Sequence, residues 1–440
     1  MKKKVKCSFI TLGCKVNQYE TDFMTQKLLN EGYIVQPISP DTDFVIINTC
    51  TVTNEADRKS RQQIRRAKKI APNSTTIAMG CSVQVMDRDR KKIADNHFGN
   101  GEKGDIVTII KGIEAGDTSS TFDKAYWLRH DQLTLSLRNS GSKNRQNIMI
   151  QEGCTNTCTY CKIYHARGTV SISKPPEMII SEINKIGEKN CKEFILTGIN
   201  LGDYAWEGLD LAGLLKKIDD EVHPDYRIRL SSVNPEDVTD ELCEQLKAKR
   251  FCPHLHLSVQ SGSNRVLKRM NRKYKADTII HAVEKLRAID PLYSISCDII
   301  VGFPGETEQD FQETVQLIEQ IRPLKTHVFR YSMKKGTPAA SYEQQVDGNI
   351  KKERSSRLDQ IAKRLSYQVR NDHMGKKREI IAEQVGNNQI TGHDVYYLKH
   401  IIMTLENSYT EGNKVQTKII QIPENSEPDE VNSTIVCLHE

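Results

Sequence analysis

The sequence predicts an α/β protein with three parts: an N-terminal doubly wound parallel sheet, a central partial barrel of six β-α units and a small C-terminal β-barrel. Apolar, β-rich runs alternate with helical stretches in residues 1–100 and again, more regularly, in residues 147–373, which predicts the first two parts. Short β-like runs fill residues 374–440 and predict the third. A chain of 440 residues has room for these domains and for a connector, which we place at residues 101–146.

The composition predicts a cytoplasmic protein with no membrane partner. Charged residues make up 27% of the chain, and no apolar run reaches the length of a membrane span. The apolar stretch after Lys2, Lys3 and Lys4 is too short for the core of a signal peptide. Twelve cysteines without an export signal favour metal ligands or buried thiols over disulfides. The net charge of +6 permits a nucleic-acid partner without requiring one.

A cysteine follows each of the three strands predicted in the first part. The strands cover residues 5–12, 43–48 and 75–79, and the cysteines after them are Cys14, Cys50 and Cys81. Helices are predicted between the strands, at about residues 20–30 and 55–70. Parallel strands end at one edge of a sheet, where ligands bind, so these thiols are predicted neighbours. We interpret them as three ligands of an iron–sulfur cluster; the alternative is that small cysteines merely finish buried strands.

A second group of cysteines lies in a loop at residues 153–161 (GCTNTCTYC). Cys154, Cys158 and Cys161 are spaced Cys-x3-Cys-x2-Cys, so three thiolates can converge on one small inorganic group. A structural zinc site or an electron-transfer cluster takes four ligands. Three thiolates instead suit an iron–sulfur cluster that keeps one iron open. The alternatives are a zinc site with His165 as the fourth ligand, or disulfides.

The central part alternates strands and helices six times. The predicted strands cover residues 148–151, 194–197, 227–231, 255–259, 294–301 and 328–331. The predicted helices lie at about residues 177–187, 209–218, 240–248, 277–288 and 306–321. The active site belongs at the carboxyl ends of such strands, and the cysteine loop follows the first of them. Other strand ends carry residues that suit either a small cofactor or a plain turn: Thr197, Gly198, Asn200, Ser231, Ser232 and Gln260.

Two basic stretches favour a polyanion partner. Residues 58–69 contain seven Lys or Arg and no acid, with Arg58, Arg61, Arg65 and Lys68 on one helical face. A solvated helix with a favourable dipole explains this pattern equally well. A second basic helix is predicted over residues 265–275. A helix at residues 349–371 leads into the last part, which has six Lys or Arg against ten Asp or Glu and so carries no basic surface of its own.

Several motifs resemble those of the radical S-adenosylmethionine (SAM) methylthiotransferases, over essentially the whole chain. Residues 11–21 (TLGCKVNQYET), 48–54 (NTCTVTN) and 80–81 (GC) are similar to the family's N-terminal domain. The cysteine loop and residues 260–263 (QSGS) and 298–307 (DIIVGFPGET) are similar to its radical SAM barrel, and residues 391–393 (TGH) to its C-terminal TRAM domain. The stretch from Cys50 through Gln62 resembles most closely the branch that acts on threonylcarbamoyladenosine (t6A) at tRNA position 37.

The resemblance implies a reaction with two [4Fe-4S] clusters. Cys154, Cys158 and Cys161 would hold the cluster that binds SAM and cleaves it to a 5′-deoxyadenosyl radical, with Tyr160 at the family's aromatic position. The other three cysteines would hold an auxiliary cluster carrying the sulfur that is methylated and transferred to C2 of the adenine. The implied partners are the tRNA anticodon stem-loop, whose target base must unstack, an electron donor such as flavodoxin or ferredoxin, and a sulfur source.

Two other functions remain open at this point. The same chemistry could act on isopentenyladenosine in tRNA or on a ribosomal protein, and a more distant alternative is a non-enzymatic, metal-bound RNA-binding protein. The chain also departs from the family pattern: Tyr164 and His165 replace a Pro-aromatic pair, residues 169–171 (TVS) replace an Arg-Ser-Arg run, and Arg330 replaces a proline. These departures concern the expected mouth of the site and leave the six cysteines intact.

Overall fold

The structure is a computed structural model. It describes residues 4–51, 54–85, 94–117, 135–137, 144–386, 388–404, 408–424 and 426–435. In these residues no helix is long and apolar enough to cross a membrane.

The first part is a five-stranded, fully parallel sheet with the strand order β2-β1-β3-β4-β5. Its strands are β1 (Lys6–Thr11), β2 (Ile34–Val35), β3 (Phe44–Thr49), β4 (Thr75–Gly80) and β5 (Asn96–Phe98). The helices of this part are α1 (Lys15–Asn30), α2 (Asn54–Ile70), α3 (Cys81–Gln84) and α4 (Ile106–Glu114). The predicted doubly wound sheet is confirmed, and the structure adds the short strands β2 and β5. The strand order reverses between β1 and β3, where such sheets bind ligands.

The connector contains α4 and a preceding 3-10 turn. Its residues 118–134 and 138–143 lie outside the described residues.

The central part is an open barrel of six parallel strands. Its strands are β6 (Arg145–Met149), β9 (Glu193–Thr197), β10 (Arg227–Leu230), β11 (Ser232–Val233), β12 (His254–Gln260), β13 (Ser294–Val301) and β14 (Lys325–Arg330). Two short strands outside the barrel, β7 (Gln151–Glu152) and β8 (Ile172–Ser173), form a small hairpin. The sheets β10-β9-β6 and β11-β12-β13-β14 are separated only by Ser231, so β10 and β11 are one interrupted strand. The predicted partial barrel is confirmed.

Helices cover the outer face of this barrel. They are α5 (Ile163–Arg167), α6 (Pro176–Gly187), α7 (Leu211–Glu221), α8 (Asp240–Gln245), α9 (Asn264–Arg269), α10 (Ala276–Ile289), α11 (Glu308–Ile321) and α12 (Gly348–Asn371). The alternating residues Leu255, Leu257 and Val259 of β12 are fully buried in the main core cluster. The residues between them therefore face the concave side, or lumen, of the barrel.

The basic helix predicted over residues 265–275 is wrong in its extent. Helix α9 ends at Arg269, and Asn271 adopts a left-handed conformation with φ of 59° that stops the helix. Arg272 therefore lies in a turn and points into the protein. Arg265 forms an ion pair with Asp310 of α11, so its charge is not free either. The proposed continuous basic face does not exist at this position.

The third part is a closed barrel with the strand order β15-β16-β17-β19-β18, which confirms the predicted β-barrel. Its strands are β15 (Lys377–Gly386), β16 (Gln389–His393), β17 (Lys399–Met403), β18 (Lys414–Gln421) and β19 (Glu430–Ile435). Gly392 allows a close approach of two strands, because a Cβ there would lie 2.1 Å from the carbonyl oxygen of Ile381. The barrel packs against the amino end of the central strands: Arg229 donates hydrogen bonds to the carbonyl oxygens of Val395 and Asp394.

Candidate active site

The three N-terminal cysteines lie at the carboxyl edge of the first sheet, as the strand pattern predicts. Cys14 precedes α1, Cys50 directly follows β3 and Cys81 begins α3. Gly13 packs against Cys50, since a Cβ at Gly13 would lie 2.8 Å from the Cys50 sulfur. The charges of Cys14 and Cys81 interact. Because Cys50 and Cys81 are buried while Cys14 is exposed, this trio forms a recess that opens on one side.

Arg167 connects this trio to the central barrel. Its side chain is fully buried, and its Nε donates to the Cys81 sulfur at 3.2 Å. The same guanidinium forms ion pairs with Glu20 of α1 and with Glu152 of β7. Burial alone would raise the pKa of Glu20, but Arg167 and Lys103 outweigh it and hold the pKa at about 2. The guanidinium therefore has two carboxylate partners and also faces a thiol that can be ionised.

The second cysteine trio lies in the loop between β7 and α5. Cys158 is buried, and Cys154 and Cys161 are partly exposed. The loop is anchored through Thr159, whose backbone N–H donates to the carbonyl oxygen of Met270 at 3.1 Å and whose hydroxyl donates to that of Arg269 at 2.9 Å. The three thiols thus share one short, fixed loop, as the spacing predicts.

Burial disfavours the thiolate forms of Cys154 and Cys161 in the absence of a ligand. It raises the pKa of Cys154 to about 11, and burial followed by the nearby Cys158 raises that of Cys161 to about 12. Binding of a metal group that needs thiolates would release these protons. Three thiols, with Arg272 donating to the Cys158 sulfur at 3.2 Å, form a donor set that fits an anionic iron–sulfur cluster.

A chain of hydrogen bonds runs from Cys158 to the predicted cofactor rim. Arg272 donates to Asn234 Oδ1 at 2.6 Å, and Asn234 Nδ2 donates to Asn200 Oδ1 at 2.8 Å. Asn200 is one of the rim residues predicted from the sequence, whereas Arg272 and Asn234 are not. Nothing local in the sequence sets them apart, because Arg272 is 114 positions away from the thiol it contacts.

The other predicted rim residues also lie at the carboxyl ends of the barrel strands. Thr197 ends β9, Ser232 begins β11, and Gln260 ends β12 with a strained φ of 66°. Gly198 packs against Gln151, whose side-chain oxygen lies 2.8 Å from where a Cβ would be. Ser231, between β10 and β11, has a buried hydroxyl oxygen without a hydrogen-bond partner in the described part of the chain. Such an orphaned oxygen fits a site that receives a polar ligand.

Tyr160 lies beside the loop cysteines rather than on the strand rim. Its ring makes an edge-to-face contact with Phe303, with centroids 6.5 Å apart, and Phe303 contacts Tyr331 and Tyr342 in the same way. The aromatic cluster therefore holds the end of the cysteine loop against the residues 302–305 turn.

Two alternatives for the cysteines can be compared with this geometry. All eleven cysteines among the described residues are free thiols, so the loop cysteines do not form disulfides here. His165, the candidate fourth zinc ligand, is exposed and stacks on Tyr164 with ring centroids 4.2 Å apart.

The basic face of α2 lies on the surface, with Arg58, Arg61 and Arg65 exposed. Lys68 differs from the prediction: it forms an ion pair with Asp95 at 2.6 Å and donates to the carbonyl oxygen of Ser74. Arg61 and Arg65 are the exposed arginines of this face that could meet a polyanion.

Family models match two regions of the chain. Residues 148–318 match the Radical SAM superfamily, and residues 6–99 match the description Uncharacterized protein family UPF0004. The radical SAM methyltransferase TsrM from Kitasatospora setae has a similar fold, with a TM-score of 0.59, 14% identity and coverage of 77% of both chains. The open barrel and its cysteine loop thus define a radical SAM enzyme, a class that binds SAM and a [4Fe-4S] cluster.

Similar proteins of known name identify the family within this class. The chain is 42% identical over 394 residues, 89% of each chain, to the threonylcarbamoyladenosine tRNA methylthiotransferase MtaB of Thermotoga maritima. It is 33% identical to the tRNA-2-methylthio-N(6)-dimethylallyladenosine synthase of Desulfitobacterium hafniense, over 86% of this chain and 87% of the relative. The chain belongs to the radical SAM methylthiotransferase family.

Replacing Gly153 by alanine should remove the metal group from the cysteine loop. Gly153 has a φ of 80°, and a Cβ there would lie 1.9 Å from the carbonyl oxygen of Val170, so the loop and the strand β8 region must separate. We expect the iron content after anaerobic reconstitution to fall by about four irons per chain, the content of one [4Fe-4S] cluster.

Gly208→Ala is the matched control for that change. Gly208 has a similar φ of 84° but nothing within 4 Å of the added Cβ, so it carries the backbone strain of about 1–3 kcal/mol without the clash. Equal loss of iron in the two variants would contradict the role assigned to the Gly153–Val170 contact.

Proposed function

We propose that this enzyme converts the C2–H bond of t6A at position 37 of tRNA to C2–SCH3, with two [4Fe-4S] clusters and SAM. The observation that carries the proposal is the connection of the two cysteine trios through one buried arginine, Arg167. Arg167 contacts Cys81 and is the last residue of α5, a helix that begins two residues after Cys161. The 42% identity to MtaB of Thermotoga maritima supports the choice of t6A.

The cysteines would hold the two clusters. Cys154, Cys158 and Cys161 would hold the SAM-binding cluster, and Cys14, Cys50 and Cys81 the auxiliary one. The clusters and SAM supply the reductive cleavage and the sulfur transfer. The chain supplies position and charge: Arg167 and Arg272 each place a cation 3.2 Å from a cysteine sulfur, where it would offset the negative charge of a bound cluster.

The predicted rim would bind SAM. The orphaned hydroxyl of Ser231 and the amides of Asn200 and Asn234 offer polar contacts at the carboxyl ends of the strands. Thr197, Ser232, Gln260 and Tyr160 complete the proposed set, and Gly198 leaves room for close approach. The chain of hydrogen bonds from Asn200 to Cys158 would fix the SAM pocket relative to its cluster.

The RNA would lie against the arginines of α2, and the target base would leave its stack to reach the two trios. Unstacking costs a few kcal/mol and is least for a single-stranded loop. The reaction requires a one-electron donor such as flavodoxin or ferredoxin and a sulfur source, and we place it in the cytoplasm with its RNA. We propose three domains for this enzyme, at residues 1–100, 147–373 and 374–440. A connector at residues 101–146 joins the first two.

The second candidate is the same chemistry on dimethylallyladenosine, which the similarity to the Desulfitobacterium hafniense synthase favours. The test compares tRNA nucleosides, by mass spectrometry, from strains with and without the gene. We expect the 2-methylthio derivative of t6A to disappear and the derivative of dimethylallyladenosine to persist. The opposite pattern would replace the proposed substrate, and no change in either nucleoside would overturn the tRNA assignment.

Anaerobic reconstitution tests the cofactors separately. Two clusters correspond to about eight irons per chain, and SAM should be cleaved under dithionite. Zinc in place of iron, without cleavage of SAM, would favour the RNA-binding alternative and His165 as a ligand.

A further inference from the structure

Three polar side chains form a cluster inside the barrel that the reaction as described does not use. His256 of β12, Asp298 of β13 and His327 of β14 place one nitrogen or oxygen atom each within 4.8 Å of the others. His256 Nε2 lies 3.3 Å from Asp298 Oδ1, and the two imidazole rings have centroids 5.8 Å apart. All three side chains are partly exposed to the lumen, so they are accessible to a ligand there. We call them the lumen triad.

Neighbouring side chains at the amino end of the barrel fix the orientation of the lumen triad. The Ser296 hydroxyl lies 3.0 Å from His256 Nδ1 and 3.0 Å from His254 Nε2, which fixes the His256 ring with its Nε2 toward Asp298. His254 is buried and stacks on Tyr397 of the C-terminal barrel, with centroids 4.6 Å apart. A rotamer fixed by a second layer of contacts is what a binding subsite requires.

The same contacts close the lumen at its amino end. The Tyr397 ring also lies under the guanidinium groups of Arg229 and Arg145, at 5.0 and 5.8 Å. Both arginines pair with Glu193, at 3.1 and 2.7 Å, and Arg145 also pairs with Glu383 at 2.8 Å, so two carboxylates balance the two guanidinium charges. The floor of the lumen is therefore formed by the C-terminal barrel and by paired charges.

The lumen triad lies within the barrel, below the mouth at which the reaction is proposed to occur. His256 precedes Gln260 at the rim by four residues, which at about 3.3 Å per residue places it roughly 13 Å below the mouth. The cysteine loop lies at the carboxyl ends of the same strands, so a base bound beside it would direct its substituent toward the lumen triad.

The chemistry of the lumen triad selects for a polar group. Asp298 accepts hydrogen bonds, and each imidazole can donate or accept them. An apolar group placed against these side chains would remove them from water without replacing their hydrogen bonds. A threonylcarbamoyl group carries urea N–H groups, a hydroxyl and a carboxylate, which can satisfy acceptors and donors at once, whereas a dimethylallyl group can satisfy neither.

We propose that His256, Asp298 and His327 form a subsite that binds the polar substituent on N6 of the target adenosine and so selects t6A over adenosines with an apolar or absent substituent. This inference rests on the proposed function and assigns its specificity to named side chains. A site built to form hydrogen bonds rejects ligands that lack the matching groups far more strongly than an apolar pocket rejects a polar ligand.

The test compares three anticodon stem-loop RNAs that differ only at position 37: t6A, dimethylallyladenosine and unmodified adenosine. Reconstituted wild type is compared with Asp298→Asn and His327→Phe, and kcat/KM for methylthiolation is measured on each RNA. We expect both changes to lower kcat/KM on t6A RNA by about 10- to 100-fold. On the other two RNAs we expect a change of less than about threefold, so the preference for t6A collapses.

His281→Phe is the matched control, because His281 lies on α10 with a side chain 70% exposed and far from the lumen in the fold. It should keep the wild-type preference. Iron content and the thermal unfolding midpoint report whether each variant folds and binds its clusters. If either lumen variant retains both and loses activity equally on all three RNAs, the lumen triad has a general role and the inference is wrong.

Two further results would also overturn the inference, each in its own way. If wild type methylthiolates t6A RNA and both variants keep its preference, the proposed function stands and the subsite fails. If wild type does not act on t6A RNA, both fail.

The rival occupant of two imidazoles and a carboxylate is a divalent metal ion. One equivalent of Co²⁺ that binds reconstituted wild type with visible d–d absorption and is lost in both variants would assign the lumen triad to a metal instead.

Discussion

Cys81→Ala should abolish methylthiolation of tRNA and leave about half of the iron, because it removes one of three ligands from the proposed auxiliary cluster. SAM cleavage under dithionite should persist, since the cysteines in the loop after β7 and the hydrogen bonds around them are unchanged. The measurements are iron per chain, 5′-deoxyadenosine formed and methylthiolated nucleoside formed.

Cys243→Ala is the control for that prediction. Cys243 is a buried cysteine of α8 outside both trios, so its replacement should keep the full iron content and both activities. If Cys81→Ala also stops SAM cleavage while its loop cluster is present, the assignment of separate tasks to the two trios is wrong.

Arg167→Met should be among the most damaging single changes away from the cysteines. It leaves the carboxylates of Glu20 and Glu152 buried without their shared cation, and breaking a buried ion pair in this way costs about 3–5 kcal/mol. It also removes the donor to Cys81. We expect a clear drop in the thermal unfolding midpoint of the apoprotein and a loss of iron from the N-terminal trio after reconstitution.

Arg357→Met provides the comparison for Arg167→Met. Arg357 also pairs with two carboxylates, Glu308 and Glu353, but its side chain is 41% exposed, and exposed pairs contribute about 0–1 kcal/mol. A midpoint for Arg167→Met as close to wild type as that of Arg357→Met would show that the buried network does not stabilise the fold.

The position of the six cysteines could be predicted from the sequence because each lies at a place that local pattern defines. Parallel strands end at a common edge, so the positions after β1, β3 and β4 had to be close together. The loop trio is nearly contiguous and needs no tertiary information. The predicted barrel strands depend on the same kind of local alternation.

The residues that connect these parts could not be predicted in the same way. Arg167 and Arg272 contact thiols 86 and 114 positions away, and their sequence neighbours do not reveal those partners. The predicted basic helix at residues 265–275 failed for a related reason. Helical periodicity continues through Asn271, but the left-handed turn at Asn271 and the buried contacts of Arg272 override it.

The short helix α5 has a consequence for how substrate reaches the enzyme. Its five residues rise about 7.5 Å and end in Arg167, whose guanidinium is locked into α1 and β7. The distance between the two cysteine trios is therefore fixed by this short helix and does not depend on a bound ligand. Widening it would mean exposing buried charges. For the proposed RNA substrate, entry would then depend on the flexibility of the RNA, whose target nucleotide would have to turn out of its own strand to reach the site.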